Sequence, residues 1–168
     1  TAFLSGLSTY AGGTFLAAGT LQINTDASLG TAGTSISVTG PSTLQLVGPS
    51  DISMNRPISI GDGVVFSIDT NTFNLTDSAA ISSGMANTGA LNKVGLGVLT
   101  LTGANTYGGG TTISTGTVSL GVGGSLLSTG SVTIGSNGTF DISPGGPLTQ
   151  TIGDLRGSGQ ITLGQNTL

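Results

Sequence analysis

The sequence predicts an all-β protein, and its strand pattern favours a parallel β-helix, in which short strands stack coil upon coil. Two observations predict this class. Short apolar–polar–apolar triplets recur between segments rich in Gly, Asn, Asp, Pro and Ser, and one stretch of sequence returns at a fixed distance, as it does in stacked repeat proteins. An antiparallel β-sandwich is the alternative, because half-exposed strands usually pair in antiparallel sheets.

The triplets predict short strands, since period-two alternation turns one side of a strand towards a core and the other towards water. In chain order they are Leu21-Gln22-Ile23, Ile36-Ser37-Val38, Leu44-Gln45-Leu46, Ile58-Ser59-Ile60, Phe66-Ser67-Ile68, Phe73-Asn74-Leu75, Leu99-Thr100-Leu101, Val118-Ser119-Leu120, Val132-Thr133-Ile134, Phe140-Asp141-Ile142 and Ile161-Thr162-Leu163. Charged residues make up 6% of the chain and glutamate is absent. Long helices are therefore not expected.

A repeated segment organises the chain. Thr9-Tyr10-Ala11-Gly12-Gly13-Thr14 matches Thr106-Tyr107-Gly108-Gly109-Gly110-Thr111 at an offset of 97 residues. Further on, Ile36–Leu46 aligns with Val132–Ile142, apolar position for apolar position, as a shared inward face requires. We expect residues 1–168 to be one β-helical segment of a longer repetitive chain, with copies beginning near residues 4 and 101. At about twenty residues per coil it would hold about eight coils and span about 40 Å.

A long motif in the second copy resembles the autotransporter-associated β-strand repeat, also called the passenger-associated transport repeat, of Gram-negative bacteria. The likeness is strong from Gly89 to Gly121 and weaker from Leu4 to Ile23. The residues that carry it are Gly89, Leu91, Lys93, Gly95, Gly97, Leu99, Leu101, Gly103, Asn105, Tyr107, Gly109, Gly110, Thr111, Ile113, Gly116 and Val118. The resemblance implies a secreted or surface-displayed passenger built as a right-handed parallel β-helix.

Several motif residues carry physical expectations of their own. Glycines 95, 97, 103 and 116 are expected at corners with positive φ, where a side chain is disfavoured. Asn105 suits a left-handed turn or a bond to its own backbone, and Thr111 suits an exposed strand position. We expect the hydroxyl of Tyr107 to lie in water, and Lys93 to be a solvated charge that discourages edge pairing.

Composition excludes most kinds of reactive site. The chain has no histidine and no cysteine, which removes the commonest general base, disulfides, and zinc or iron sites of the usual ligands. Paired carboxylates are the remaining catalytic option, and the candidates are Asp51, Asp62, Asp69, Asp77, Asp141 and Asp154. Asp62, Asp69 and Asp77 could lie on adjacent strands or coils. We nevertheless expect the six to occupy turns or solvent-facing strand positions, and we expect no catalytic, cofactor or metal site, calcium included.

Three classes of function remain. The preferred one is a structural or adhesive segment, a rigid β-helical stalk or fibre, at the bacterial surface or secreted. A polysaccharide-acting β-helix enzyme with paired aspartates is the alternative, and an ice- or mineral-binding surface would need aligned outward Thr-x-Thr rows. Expected partners are neighbouring coils of the same chain, stacked copies of itself, and a host or bacterial surface. The net charge of −4 argues against nucleic acid, and no apolar run is long enough to span a membrane.

Overall fold

Short strands make up nearly all the regular structure of this protein, for which a computed structural model describes residues 1–146 and 149–168. The strands are β1 (Ala2–Leu4), β2 (Thr14–Leu16), β3 (Gly19–Ile23), β4 (Ile36–Val38), β5 (Ser42–Leu46), β6 (Ile52–Met54), β7 (Ile58–Ile60), β8 (Val65–Asp69), β9 (Leu75–Asp77), β10 (Ile81–Ser83), β11 (Ala90–Val94), β12 (Val98–Leu101), β13 (Thr111–Leu120), β14 (Ser131–Asp141), β15 (Asp154–Gly157) and β16 (Gln160–Thr162). Two short 3₁₀ turns, Asp26–Leu29 and Ser143–Gly145, complete the regular structure of the described residues.

All pairings between these strands are parallel. The chain is therefore a parallel β-solenoid of about 7 turns. This confirms the predicted β-helix, and the antiparallel sandwich is wrong. The described residues contain no helix of the length and apolarity that a membrane crossing needs.

Three faces build the solenoid. The first face consists of β1, β3, β5, β8, β11, the first halves of β13 and β14, and β15; the second consists of β6, β9, β12, the second halves of β13 and β14, and β16; the third consists of β2, β4, β7 and β10. The long strands β13 and β14 run across the corner between the first two faces. Their pairing shifts register between Ile113 and Thr115, which marks an irregularity at that corner.

The coils vary in length. Register partners one coil apart are separated by 19 residues from Ala2 to Leu21 and by 25 from Val65 to Ala90. The expected twenty residues per coil and eight coils were therefore slightly wrong. At about 4.8 Å per coil, seven turns give a stack of about 34 Å.

Inward-facing residues of successive coils form columns that run along the solenoid. On the first face one column contains Leu21, Leu44, Ile68, Ile113 and Ile134, and on the second face another contains Ile52, Leu75, Leu99, Val118 and Phe140. All of these side chains are buried. The period-two alternation of the sequence therefore identified the core correctly.

Strand positions were predicted less completely than the core. Every triplet overlaps a strand, but Phe73 and Asn74 precede β9, so that strand begins two residues later than predicted. Strands β1, β2, β6, β10, β11 and β15 were not predicted. In several of them a polar residue such as Thr14 or Lys93 takes an inward position, which hides the alternation.

The columns predict opposite sensitivities for two neighbours in β12. Leu99 is fully buried whereas the next residue, Thr100, is half-buried and faces outward. We expect Leu99→Ala to lower the free energy of unfolding by about 2–5 kcal/mol, because it removes buried methyl groups and leaves a cavity. Thr100→Ala should cost less than about 1 kcal/mol. Urea unfolding followed by circular dichroism measures both, and equal losses would contradict the inward columns.

Candidate functional site

The motif residues from Lys93 to Gly116 make one coil of the solenoid, and most of their side chains turn inward. Leu99 and Leu101 lie in the core with no exposed surface. Each also has a register partner above and below, so it fills a column between two other coils. The motif is therefore a piece of the interior and of the corners rather than a reactive surface.

Lys93 is buried, which corrects the expectation of a solvated charge. It occupies the inward column of the first face, between Ile68 below and Ile113 above. Its Nζ donates to three backbone carbonyl oxygens at the corner, those of Val94 (2.9 Å), Gly95 (2.8 Å) and Thr115 (3.4 Å). Burial lowers the pKa of Lys93 to about 8, and the negative charge of Asp69 partly opposes that shift. The ammonium thus binds three corner carbonyls, of which that of Val94 also accepts from the backbone N–H of Thr70.

The four corner glycines serve two purposes, not the single one predicted. Gly95 and Gly116 do have positive φ, 81° and 71°. Gly97 and Gly103 do not, and the prediction was wrong for them. A side chain on Gly97 would overlap the carbonyl of Phe73, and one on Gly103 would overlap that of Ala79, each one coil below. These two glycines allow the backbones of adjacent coils to touch.

Tyr107 and Thr111 form a buried pair, which corrects the expected exposure of both. Each is 3% exposed, and the Tyr107 hydroxyl lies 2.7 Å from the Thr111 Oγ1. Burial raises the pKa of Tyr107 far above its ordinary value. The first copy contains the same pair, since the Tyr10 hydroxyl lies 2.8 Å from the Thr14 Oγ1. Gly110, with φ of 90°, turns the chain immediately before Thr111.

Asn105 stands in the third face above the last strand of that face, β10. Its φ is not positive, so the left-handed role is wrong, whereas the expected bond to nearby backbone is made to Gly103, and further bonds reach adjacent coils. Its Oδ1 accepts from the backbone N–H of Ile81 (2.9 Å), and its Nδ2 donates to the carbonyls of Gly103 (2.8 Å) and Ser125 (2.9 Å). The buried amide therefore continues the coil-to-coil hydrogen bonding where the regular strand ends.

Gln150 has a similar role two coils further on and was missed by sequence reasoning. Its Oε1 accepts from the N–H of Leu126 (3.0 Å), and its Nε2 donates to the Leu126 carbonyl (3.0 Å). The signal that could have found it is the position of an amide residue on the third side of a coil, at a point equivalent to Asn105.

Arg56, in the loop between β6 and β7, is the second residue that the sequence did not single out. It is 1% exposed and its guanidinium holds the segment 26–34. Its N–H groups donate to both carboxylate oxygens and the carbonyl of Asp26. They also donate to the carbonyls of Leu29, Gly30 and Thr31, and to the Oγ1 and carbonyl of Thr34. That segment lies against β6, the first strand of the second face. Arg56 thereby covers a sheet edge.

The six candidate aspartates do not converge. Asp62, Asp69 and Asp77 follow one another around a single coil, and Asp77 alone is fully buried, which corrects its expected placement in a turn or on a solvent-facing strand. The acceptor contacts are those of Asp51 with Asn74, Asp62 with Ala86 and Thr88, Asp69 with Asn71 and Gln45, Asp77 with Arg56 and Ala79, Asp141 with Ser143, and Asp154 with Arg156.

Most of these contacts join a carboxylate to the next coil or to its own turn. The backbone N–H of Ala86, followed by that of Thr88, holds the pKa of Asp62 below its usual value. The described residues contain no group of three or more carboxylates close enough to hold a metal ion. Asp51, Asp62, Asp69 and Asp77 therefore fasten adjacent coils to one another, whereas Asp141 and Asp154 bond within their own segments.

The outer side of the first face carries a column of hydroxyl side chains beside a shallow depression. On the first face Thr20, Thr43 and Ser67 occupy one outward column, and they line an open depression of about 310 Å³ with Gly19 and Pro41. Hydroxyls here form single columns and not paired Thr-x-Thr rows. The segment Thr70-Asn71-Thr72 has the Thr-x-Thr spacing, but Thr70 is fully buried.

Comparison with known families identifies the motif. The model of the Passenger-associated-transport-repeat matches residues 1–23 and 91–120. These two segments are thus similar to the passenger-associated transport repeat. The suspected resemblance is confirmed, and the repeat implies an autotransporter passenger segment with a β-helical fold. Comparisons with curated proteins and with solved structures find no match.

The two copies of the repeat lie on different faces. In the first copy, β1 and β3 lie on the first face and β2 lies on the third. The corresponding strands of the second copy lie one face further on. There β12 and the second half of β13 are on the second face, and the first half of β13 is on the first. The offset of 97 residues thus corresponds to four coils and one further face. The aligned segments Ile36–Val38 and Val132–Ile134 show the same displacement, from the third face to the first. The repeat is therefore not tied to one side of the solenoid.

Close backbone contact at the motif corner gives a sharp test. Gly97→Ala should lower the free energy of unfolding by about 3 kcal/mol, since the new methyl group would overlap the Phe73 carbonyl. Gly12→Ala is the matched control, because nothing lies within 4 Å of a methyl group there. That variant should be unchanged or stabilised by about 0.5 kcal/mol. Denaturant unfolding compares them, and an unaffected Gly97→Ala would contradict the close approach.

Lys93 predicts a pH dependence at alkaline pH. Its pKa in the folded protein is about 8 against 10.5 for the free side chain, so the folded state loses the proton first as pH rises. Stability contributed by this group therefore increases from pH 8 to pH 10.5. Relative to Lys93→Met, which cannot titrate, we expect wild type to gain about 2 kcal/mol between pH 7 and pH 9.5. Parallel pH profiles of the two proteins would contradict the buried ammonium.

Proposed function

We propose that this chain is a structural or adhesive segment of a secreted or surface-displayed bacterial protein of the autotransporter type, and that it forms a rigid β-helical stalk or fibre. One observation carries the proposal: the signature side chains of the repeat point into the solenoid, and its copies lie on different faces. A motif that recognised a ligand would need its side chains outside. The family of the repeat suggests a surface or secreted location.

The outer face supports contact and not catalysis. Its hydroxyl columns and shallow depressions offer many weak polar contacts along one axis, and such contacts gain avidity when they are repeated. Three of the candidate aspartates, Asp51, Asp62 and Asp69, bind backbone and side-chain groups of neighbouring coils, which gives them a structural task. No observation on the described residues favours the polysaccharide-acting alternative, which would need two converging carboxylates beside a cleft.

The proposed partners are further coils or another copy of the same chain. In the last described coil the column residues Leu155 and Ile161 are 42% and 37% exposed, whereas Val132 and Phe140 directly below them are fully buried. Stacking of a similar coil on β15 and β16 would bury this apolar surface and pair the strand edges. A host or bacterial surface is the further partner that adhesion requires.

Surface display tests the proposal. The chain is presented on a non-adherent Gram-negative bacterium through a heterologous outer-membrane anchor, and we measure protease resistance of the displayed segment, cell clumping and attachment to abiotic and host-cell surfaces. The control is Gly97→Val, which places a bulky side chain against the Phe73 carbonyl. We expect resistance and at least one form of adhesion with the wild-type chain, and loss of both with the control.

Two results would overturn the proposal. One is a displayed chain that is protease-sensitive and leaves clumping and attachment unchanged. The other is release of reducing sugars from a panel of bacterial and host polysaccharides that disappears in Asp62→Asn or Asp69→Asn. The second result would establish the enzyme in place of the stalk.

A further inference from the structure

Asp77 places a carboxyl group inside the solenoid. It ends β9 on the second face and stands in an inward column, with Met54 as register partner below and Leu101 above. Its side chain has no exposed surface. An ionised carboxylate loses most of its hydration in such a place, so it needs either hydrogen bonds on both oxygens or a nearby cation.

The hydrogen bonds satisfy one oxygen only. The Oδ1 of Asp77 accepts from the backbone N–H groups of Arg56 (3.3 Å) and Ala79 (3.1 Å). Its Oδ2 has no partner, and it is the single buried side-chain nitrogen or oxygen in this state among the described residues. A proton on Oδ2 would remove the charge and leave both bonds to Oδ1 intact.

Among the described residues no cationic group bonds this carboxylate, and the charge of Arg56 lowers its pKa less than the charge of Asp26 raises it. Arg56 donates only its backbone N–H to Asp77, because its guanidinium donates to Asp26 and to the segment 29–34. Asp26, the other charged group that acts on Asp77, is itself an anion. The elements above and below, β12 and β6, contain no ionisable side chain. If all three are ionised, Asp77, Asp26 and Arg56 would therefore together carry an uncompensated negative charge.

We propose that Asp77 couples folding of the solenoid to the uptake of one proton, so that the folded chain is more stable in mildly acidic than in neutral surroundings. The group has no catalytic part in this proposal. It acts as a pH-sensitive element in the interior of the stalk, and its effect reaches the coils that it contacts, including the segment that Arg56 fastens over the edge of the second face.

The direction in which the pKa of Asp77 is shifted agrees with this geometry. Burial raises the pKa of Asp77 to about 6, against the opposing effect of the N–H groups of Ala79 and Arg56. A folded-state pKa above the unfolded value of 3.8 means that the folded state binds more protons between these two values. The stabilisation is present in full below pH 3.8 and is lost as pH rises through 6.

The effect of Asp77 on folding stability can be measured between pH 5 and pH 7 with little interference, because the chain has no histidine and no glutamate. Chemical unfolding of the wild-type chain at both values should show a folding equilibrium constant about tenfold larger at pH 5. Asp77→Asn keeps an oxygen acceptor and cannot titrate, so its constant should be the same at both pH values. Asp62→Asn is the matched control, since Asp62 is a solvent-facing carboxylate, and it should keep the tenfold difference.

A second measurement does not depend on any variant. Titration of the Asp77 Cγ by carbon NMR in the folded wild-type chain should give a midpoint near pH 6. A midpoint below pH 4.5 would overturn the proposal, as would a wild-type stability that is equal at pH 5 and pH 7. Persistence of the tenfold difference in Asp77→Asn would assign the proton to another group and would overturn it equally.

Discussion

Coil-to-coil hydrogen bonding is the constraint on which the rest of this structure depends. In a solenoid each coil must offer its N–H and C=O groups to the coils above and below on every face, because a buried unpaired group costs about 1–3 kcal/mol. Strands satisfy this on the flat faces. At corners and where a strand is missing, side chains complete the pairing. Asn105, Gln150 and Lys93 are the clearest cases.

The same constraint explains the glycines better than conformational freedom does. Gly97 and Gly103 have ordinary φ values, yet neither tolerates a side chain, because the carbonyl of the coil below occupies the space. Coils about 4.8 Å apart leave no room between backbones at a corner. Gly116 meets both requirements, since its φ is positive and a methyl group there would overlap the Gly95 carbonyl of the coil below. A single residue type thus fulfils two physical requirements within one motif.

The fold and the family could be predicted from the sequence because both rest on pattern. Period-two alternation is a local property, and it identified inward residues such as Leu44 and Leu99 that are buried in the structure. The polar residues of the interior were not predicted, although the alternation of inward and outward positions indicates them. Lys93 follows Leu91 by two residues, and Asp77 follows Leu75 by two, so alternation places both inward. The cost of burying a charge argued against that placement, and only coordinates reveal the carbonyl oxygens that offset it for Lys93.

The interior charges also bear on how adjacent coils keep their register. Aliphatic columns specify register weakly, since a slip of two residues exchanges one aliphatic side chain for another on the same face. Such a slip would move the Lys93 ammonium away from the Thr115 carbonyl in the adjacent coil, and would separate Arg56 from Asp26. The displaced Arg56 guanidinium would then be buried without its carboxylate, at a cost of several kcal/mol. Because the two copies of the repeat lie on different faces, the second copy pins register on the corner between the first and second faces, while Arg56 does so lower in the stack. Interior polar groups that cost stability individually thereby discriminate against the slipped coils that an all-aliphatic interior would tolerate.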